Sequence, residues 1–331
     1  MDKRKKLVAL VSGGLDSLLS LIIAKNMGFE VIPLHVETPF NSTCCKDLTA
    51  LNELLKKEGL ELINVKVGQD YIEIIKKPKY GYGRALNPCI DCRIYFFKIA
   101  KDFMDKQGAV GIVTGEVVDQ RPKSQNLKAM KIIERESGLE GRVLRPLSGG
   151  IIPPKELIKD GLIESNKLLT IRGKGRKIQL KMAREFGLVN IPNPSGGCLL
   201  TYAPYAKKLK DIFNNDESYT MSEIQLLKIG RHFRLSKNTK LIVGRNNLEN
   251  EELRKVTGYI KIIPEYCKGP VGIFRGDKSF TSLAVDIVAS YCDGNLGEKM
   301  SFIIFDSEDS YRVETLKKDK SLYKKYIVSL N

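Results

Sequence analysis

The chain has 331 residues, 42% hydrophobic and 28% charged, which is enough for two domains with room for a third. This composition marks a soluble globular fold, and the longest uncharged run, residues 186–206, is broken by Pro192, Pro194, Gly196, Gly197 and Pro204, so it reads as a loop and not as a membrane helix. With 55 Lys+Arg against 39 Asp+Glu, the net charge of +16 points to a polyanionic partner.

Two further counts exclude chemistries. Seven cysteines is an odd number, and the apolar run behind the basic start is too short for a signal peptide, so a disulfide framework is not expected and a cytoplasmic location is. With His35 and His232 the only histidines, a histidine-rich metal site or a Ser-His-Asp triad is not expected either.

In chain order, residues 7–11 read as a strand and 16–27 as a helix. Residues 30–36 are a strand, 46–58 a helix with Leu48, Leu51, Leu54 and Leu55 apolar, and 62–67 a strand again. Asn87-Pro88 opens a long helix, with Asn87 read as the N-cap and Pro88 as its first residue. Ile90, Ile94, Phe97 and Met104 fall on one face of it, and 109–114 is another strand. This βαβα order predicts an α/β fold with a parallel, doubly wound sheet over residues 1–150.

Residues 151–204 read as a helical and loop extension, with helices at 153–159 and 177–186 and a Pro/Gly/Ser-rich loop at 191–200. From 205 to 331 a smaller α+β domain is expected. It has helices at 222–229 and 281–291, strands at 240–243, 272–274 and 301–305, and a basic tail at 317–325 that is expected to fray.

Ser12-Gly13-Gly14-Leu15-Asp16-Ser17 stands at the first strand-to-helix turn. Two glycines let the backbone approach a phosphate, and the helix start offers N–H donors and a favourable dipole. Ser12 and Ser17 add hydroxyls. The spacing is neither a Walker loop nor the dinucleotide fingerprint. A plain glycine turn is the blander alternative.

Cys89-Ile90-Asp91-Cys92 puts two thiols on the first turn of the long helix, where the helix dipole is expected to lower their pKa. Cys198 lies far off, in Pro194-Ser195-Gly196-Gly197-Cys198. Three cysteines fall short of the four ligands of structural zinc, but three on a [4Fe–4S] cluster would leave one iron open. Zinc with Cys44 or Cys45 as fourth ligand and a persulfide-carrying pair stay open as alternatives. Cys44 and Cys45 otherwise read as loop residues, with a sulfur relay as the alternative, and Cys267 and Cys292 as core residues.

Arg172, Lys174, Arg176, Lys177, Lys181 and Arg184 fall within thirteen residues free of acids. With Ile178, Leu180 and Met182 between them, they read as a helix start with a cationic face suited to a phosphate backbone. Gln120, Arg121, Lys123, Ser124 and Gln125 follow the 109–114 strand, at the strand end where ligands of α/β sheets bind.

The SGGLDS loop resembles that of the ATP-pyrophosphatases, the PP-loop or adenine nucleotide α hydrolase-like fold. Together with NPCIDCR, TGEVVDQRPKSQ, RGKGRKIQLKMAREFG and PSGGCLLT, the chain resembles the tRNA thiouridine synthetases, in the branch with an iron–sulfur cluster. The resemblance covers about the first two-thirds of the chain.

The resemblance implies that Ser12, Gly13, Gly14, Asp16 and Ser17 bind the phosphates of ATP with Mg²⁺. It places Thr114, Gly115 and Glu116 at a strand end beside the nucleotide, and Cys89, Cys92 and Cys198 on the cluster. The expected reaction adenylates a uridine carbonyl of tRNA and replaces its oxygen with sulfur from sulfide or a sulfur-carrier donor. Arg172, Lys174, Arg176, Lys177 and Lys181 are the expected RNA contacts. The oligomeric state is open, a homodimer included.

Two departures leave 2-thiouridine and 4-thiouridine both open. Glu116 stands where two-cysteine 2-thiouridylases carry histidine, and no THUMP-like region precedes the loop. Two rivals are carried alongside: a nitrile-forming deazaguanine synthase of the same fold, and a non-catalytic RNA-binding protein.

Overall fold

Five short strands build the first sheet: β1 (Lys6–Leu10), β2 (Glu30–Glu37), β3 (Ile63–Lys66), β4 (Gly111–Thr114) and β5 (Val143–Leu144). All neighbours are parallel, in the order β3-β2-β1-β4-β5. Leu7, Val8 and Ala9 of β1 are at most 1% exposed, as a central strand covered on both faces must be. The computed structural model describes residues 5–41, 48–188, 197–306 and 309–329.

Helices cover both faces. On one side α1 (Leu15–Asn26), α2 (Leu48–Lys57) and α6 (Lys155–Lys159) bury Leu18, Leu21, Leu51, Leu55 and Leu157 against Leu7 and Ala9. On the other, α4 (Cys89–Gln107) and α5 (Leu127–Ser137) bury Ile94, Phe97, Met104, Ala129 and Ile133 against Val8, Leu34 and Ile112. The fold is the doubly wound α/β sheet expected from the alternating pattern. A short helix, α3 (Gln69–Lys76), packs on α4, and α7 (Lys177–Glu185) packs beside α1 through Ala183 and Met182.

The expected cap of α4 is corrected. Pro88 itself is the N-cap residue, and no side chain caps the helix. The Asn87 side-chain oxygen instead accepts a hydrogen bond from the Cys89 thiol at 3.0 Å.

The chain divides into two units, Met1–Thr201 and Tyr202–Asn331. The second contains α8 (Ala203–Asn215), α9 (Met221–Leu226), β6 (Arg231–Ser236), β7 (Thr239–Val243), α10 (Asn247–Lys255), β8 (Ile260–Pro264), β9 (Gly272–Arg275), α11 (Thr281–Ala289), β10 (Lys299–Asp306) and β11 (Asp309–Leu316). Its six strands form an antiparallel sheet in the order β11-β10-β8-β9-β7-β6. Val285 and Val288 of α11 join Ile262, Phe274, Phe302 and Ile304 in its core.

The basic tail does not fray. Residues Lys320–Tyr326 form a 3₁₀ turn that buries Tyr323 in this core, and Ile327 bridges to Phe233 of β6. Cys292 is buried there, and Cys267 packs against the same cluster.

Candidate active site

β1 connects to β2 on one side and has β4 on the other, so the sheet order reverses at β1 and leaves a crevice at the carboxyl ends of the strands. The loop of residues 11–14 enters that crevice. Gly13 has φ +76°, a left-handed conformation that a side chain disfavours. The Ser17 hydroxyl donates to the Gly14 carbonyl at 2.8 Å, and Ser17 Oγ accepts from the Ser12 amide at 3.3 Å. No side chain caps α1, which leaves its first turn facing the cavity.

Asp16 is 8% exposed. Its Oδ2 accepts from Gln120 Nε2 at 3.0 Å and lies 3.4 Å from Arg176 Nη2. Its Oδ1 is buried with no hydrogen-bond partner. A buried carboxylate oxygen without a donor is costly alone and suited to a divalent cation.

One cavity is lined by Ser12, Gly14, Asp16 and Ser17 at one end and by Cys89, Cys92 and Cys198 at the other. Thr114, Gly115, Gln120, Arg121 and Arg176 also line it. Cys198 is brought in by backbone pairing: residues 41 and 198 bridge, and the Leu199 amide donates to the Phe40 carbonyl at 2.8 Å. His35, also on the cavity wall, has its Nδ1 2.8 Å from the Val11 carbonyl.

The expectation of depressed thiol pKa values is corrected, because burial outweighs the helix dipole. Burial raises Cys89, and Arg93, Arg121 and Lys123 only partly offset it. Burial also raises Cys92, with a smaller contribution from the other two cysteines. Cys198 is pushed up to about 11 by burial. Tyr71 donates or accepts a hydrogen bond with Cys92 Sγ at 3.1 Å, and its own pKa is raised by burial and by that thiol.

Among the described residues, no three His, Cys, Asp or Glu side chains lie close enough to share a single metal ion. Cys89, Cys92 and Cys198 nevertheless line one cavity. Cys44 and Cys45 lie outside the described residues.

The cationic segment does not form one uniform face. Arg172 Nε pairs with Asp119 at 2.6 Å, and Arg176 points to Asp16 inside the cavity. Lys174, Lys177 and Lys181 are exposed, as are Ile178 and Leu180. Arg93 and Arg145 were not legible as site residues. Arg93 follows the second thiol directly, and that adjacency was the one signal available.

Residues 3–158 match the family described as thiamine biosynthesis protein (ThiI), and residues 230–327 match the NFACT protein RNA binding domain. A probable tRNA sulfurtransferase of Thermococcus kodakarensis is 36% identical over 147 residues, covering 44% of this chain and 37% of that protein. The tRNA-specific 2-thiouridylase MnmA 2 of Fusobacterium nucleatum is 32% identical over 117 residues, covering 34% of this chain and 33% of that protein. The chain thus spans little more than a third of these curated relatives at most.

A crystal structure of a 4-thiouridine synthetase–RNA complex with bound ATP aligns with a TM-score of 0.37 at 21% identity, covering 63% of this chain and 51% of that one. Residues 3–158 are thus similar to the family described as thiamine biosynthesis protein (ThiI), and residues 230–327 to the NFACT protein RNA binding domain.

Proposed function

We propose that the chain is an ATP-dependent tRNA sulfurtransferase. The observation that carries this reading is the single cavity shared by the loop of residues 12–17 and the three thiols. ATP phosphates would rest on the loop and on the start of α1. A uracil carbonyl oxygen attacks the α phosphorus, a new O–P bond forms, and the bond to the β phosphate breaks. Pyrophosphate leaves toward Ser12, Gly13, Gly14 and Ser17, whose donors hold its charge. Sulfur then displaces AMP at the activated carbon.

Asp16 Oδ1 would hold Mg²⁺, which neutralises phosphate charge when bound. Cys89, Cys92 and Cys198 would hold a [4Fe–4S] cluster, whose open iron supplies a place for sulfur. Thr114 lies at the end of β4 beside the loop. Lys174, Lys177 and Lys181 offer exposed positive charge for the RNA backbone, and the similarity of residues 230–327 to an RNA-binding domain supports a second contact with RNA.

The test is anaerobic incubation of the chain with ATP, a tRNA transcript and sulfide. Pyrophosphate release should accompany a thiolated uridine seen by nucleoside mass spectrometry. RNA binding without pyrophosphate release would overturn the reading in favour of a non-catalytic RNA-binding protein. Mass spectrometry also decides between 2-thiouridine and 4-thiouridine.

A further inference from the structure

Helix α4 carries more into the cavity than two thiols. Arg93 directly follows Cys92, and its side chain is 27% exposed on the cavity wall. Behind it stands Glu116, two residues past the end of β4 and only 1% exposed. Glu116 Oε1 lies 3.6 Å from Arg93 Nε and takes no hydrogen bond. Its Oε2 accepts from Arg145 Nε at 3.0 Å. Arg145 is fully buried, and its Nη1 bonds Glu134.

These four side chains form a row with alternating charge. Without Arg93, two carboxylates would share one buried guanidinium, and the row would hold an excess negative charge away from water. Arg93 brings it to neutrality, so its position is set from behind, by Glu116, and not by the cavity. Its Nε is turned to Glu116, and no protein group bonds its Nη atoms among the described residues. Arg121, on the same wall, has its guanidinium pKa lowered by burial and then by repulsion from Arg93.

The loop end of the cavity already has its own cation, Arg176, facing Asp16. Arg93 stands at the other end, on the same helical turn as Cys89 and Cys92. We propose that Arg93 holds the charge of the sulfur anion used in the reaction, a hydrosulfide ion, beside the thiols whose cluster would leave an iron open to it, and that Glu116 and Arg145 are the residues that position Arg93. This rests on the sulfurtransferase reading. Hydrosulfide attacks the adenylated carbon and the C–S bond forms. The bond from that carbon to the oxygen shared with phosphorus breaks, AMP leaves with the electron pair, and the sulfur proton passes to solvent. No oxidant or reductant is consumed.

The experiment titrates sodium sulfide into the anaerobically purified full chain by calorimetry and measures KM for sulfide in thiolation. Arg93→Gln should weaken sulfide binding at least tenfold and raise KM for sulfide by a similar factor. Arg93→Lys should recover much of that loss. Glu116→Gln should raise KM for sulfide more than it lowers kcat, and thermal melting checks that this buried variant is folded. Sulfide binding within twofold of wild type in Arg93→Gln would overturn the proposal, whether or not the chain thiolates RNA. Absence of pyrophosphate release in the wild type would instead overturn the sulfurtransferase reading, while the calorimetry still decides the anion site.

Discussion

Gly115 lies against Asp16 so closely that a Cβ added to the glycine would sit 2.4 Å from the Asp16 carbonyl carbon and from the Ser17 nitrogen. The end of β4 and the first turn of α1 thus touch backbone to backbone. Gly115→Ala must push the loop of residues 12–17 or the strand aside. We expect a loss of about 2–3 kcal/mol in unfolding free energy, at the upper part of the overpacking range because backbone yields poorly. Urea unfolding checks the stability, and nucleotide binding should weaken with it.

Asp16→Asn keeps the shape of the side chain and removes its charge. Gln120 and Arg176 would keep or lose one contact each at an already polar wall. Pyrophosphate release should fall by about a hundredfold, the size expected when one preorganised electrostatic contact is removed. Circular dichroism should show an unchanged fold. Wild-type turnover in this variant would remove Asp16 from the ATP site.

Thiol chemistry in the metal-free chain should be slow and strongly pH-dependent. Cys198 is pushed up to about 11 from an ordinary value of 9.0, so its thiolate fraction at pH 8 is lowered about a hundredfold. Iodoacetamide labelling of Cys198 should be correspondingly slow at pH 8 and should rise steeply between pH 9 and 11. The same shift affects stability. The unfolded chain loses this proton near 9 and the folded chain near 11, so stability contributed by the neutral thiol is present below pH 9 and is lost as pH rises toward 11. Mass spectrometry of labelled peptides, timed at several pH values, measures the first effect.

RNA affinity should depend more on Lys174 and Lys177 than on Arg172 or Arg176. Arg172, though exposed, is paired with Asp119, and Arg176 faces Asp16, whereas Lys174 and Lys177 are exposed and form no ion pair among the described residues. Reversing Lys174 and Lys177 to Glu should lower the slope of log affinity against log salt by about one unit per lost phosphate contact. Binding titrations at several salt concentrations report that slope, and an unchanged value would move the RNA surface elsewhere.

The second unit should fold alone. Phe274, Phe302, Ile304 and Val288 bury one another within residues 202–331. Expressed separately, residues 202–331 should melt cooperatively, as followed by circular dichroism. Removing residues 320–331 should lower the melting temperature, because it takes Tyr323 out of that core.

The parts of this fold written in local sequence were the ones that could be read. The apolar run before Ser12, the two glycines and the CxxC at a helix start each occupy a few adjacent residues, and the structure places loop and thiols on one cavity. Helix α3 carried its signal too, with Tyr71, Ile72 and Ile75 spaced along one face, but its eight residues are short enough to pass for a loop. β11 alternates Tyr311, Val313 and Thr315 with Arg312 and Glu314, but as a sheet edge with most of its side chains exposed it gave a weak apolar contrast.

Asn87 misled because its side-chain oxygen accepts from the Cys89 thiol and caps no helix amide. The row from Arg93 to Glu134 was invisible for a different reason. Its members come from α4, the end of β4, the end of β5 and α5, and only the closed sheet brings them together.

The loop and the thiols face one space, and that has a kinetic meaning for the proposed two-step substitution. An ester activated at the loop would meet sulfur within the same cavity. Water that reaches the cavity competes with sulfur for it. The ratio of AMP formed to sulfur incorporated then measures how tightly the chamber closes around its occupant. Trimming the Phe96 ring that lines the wall should raise that ratio, wasting ATP while the chemistry at either end stays intact.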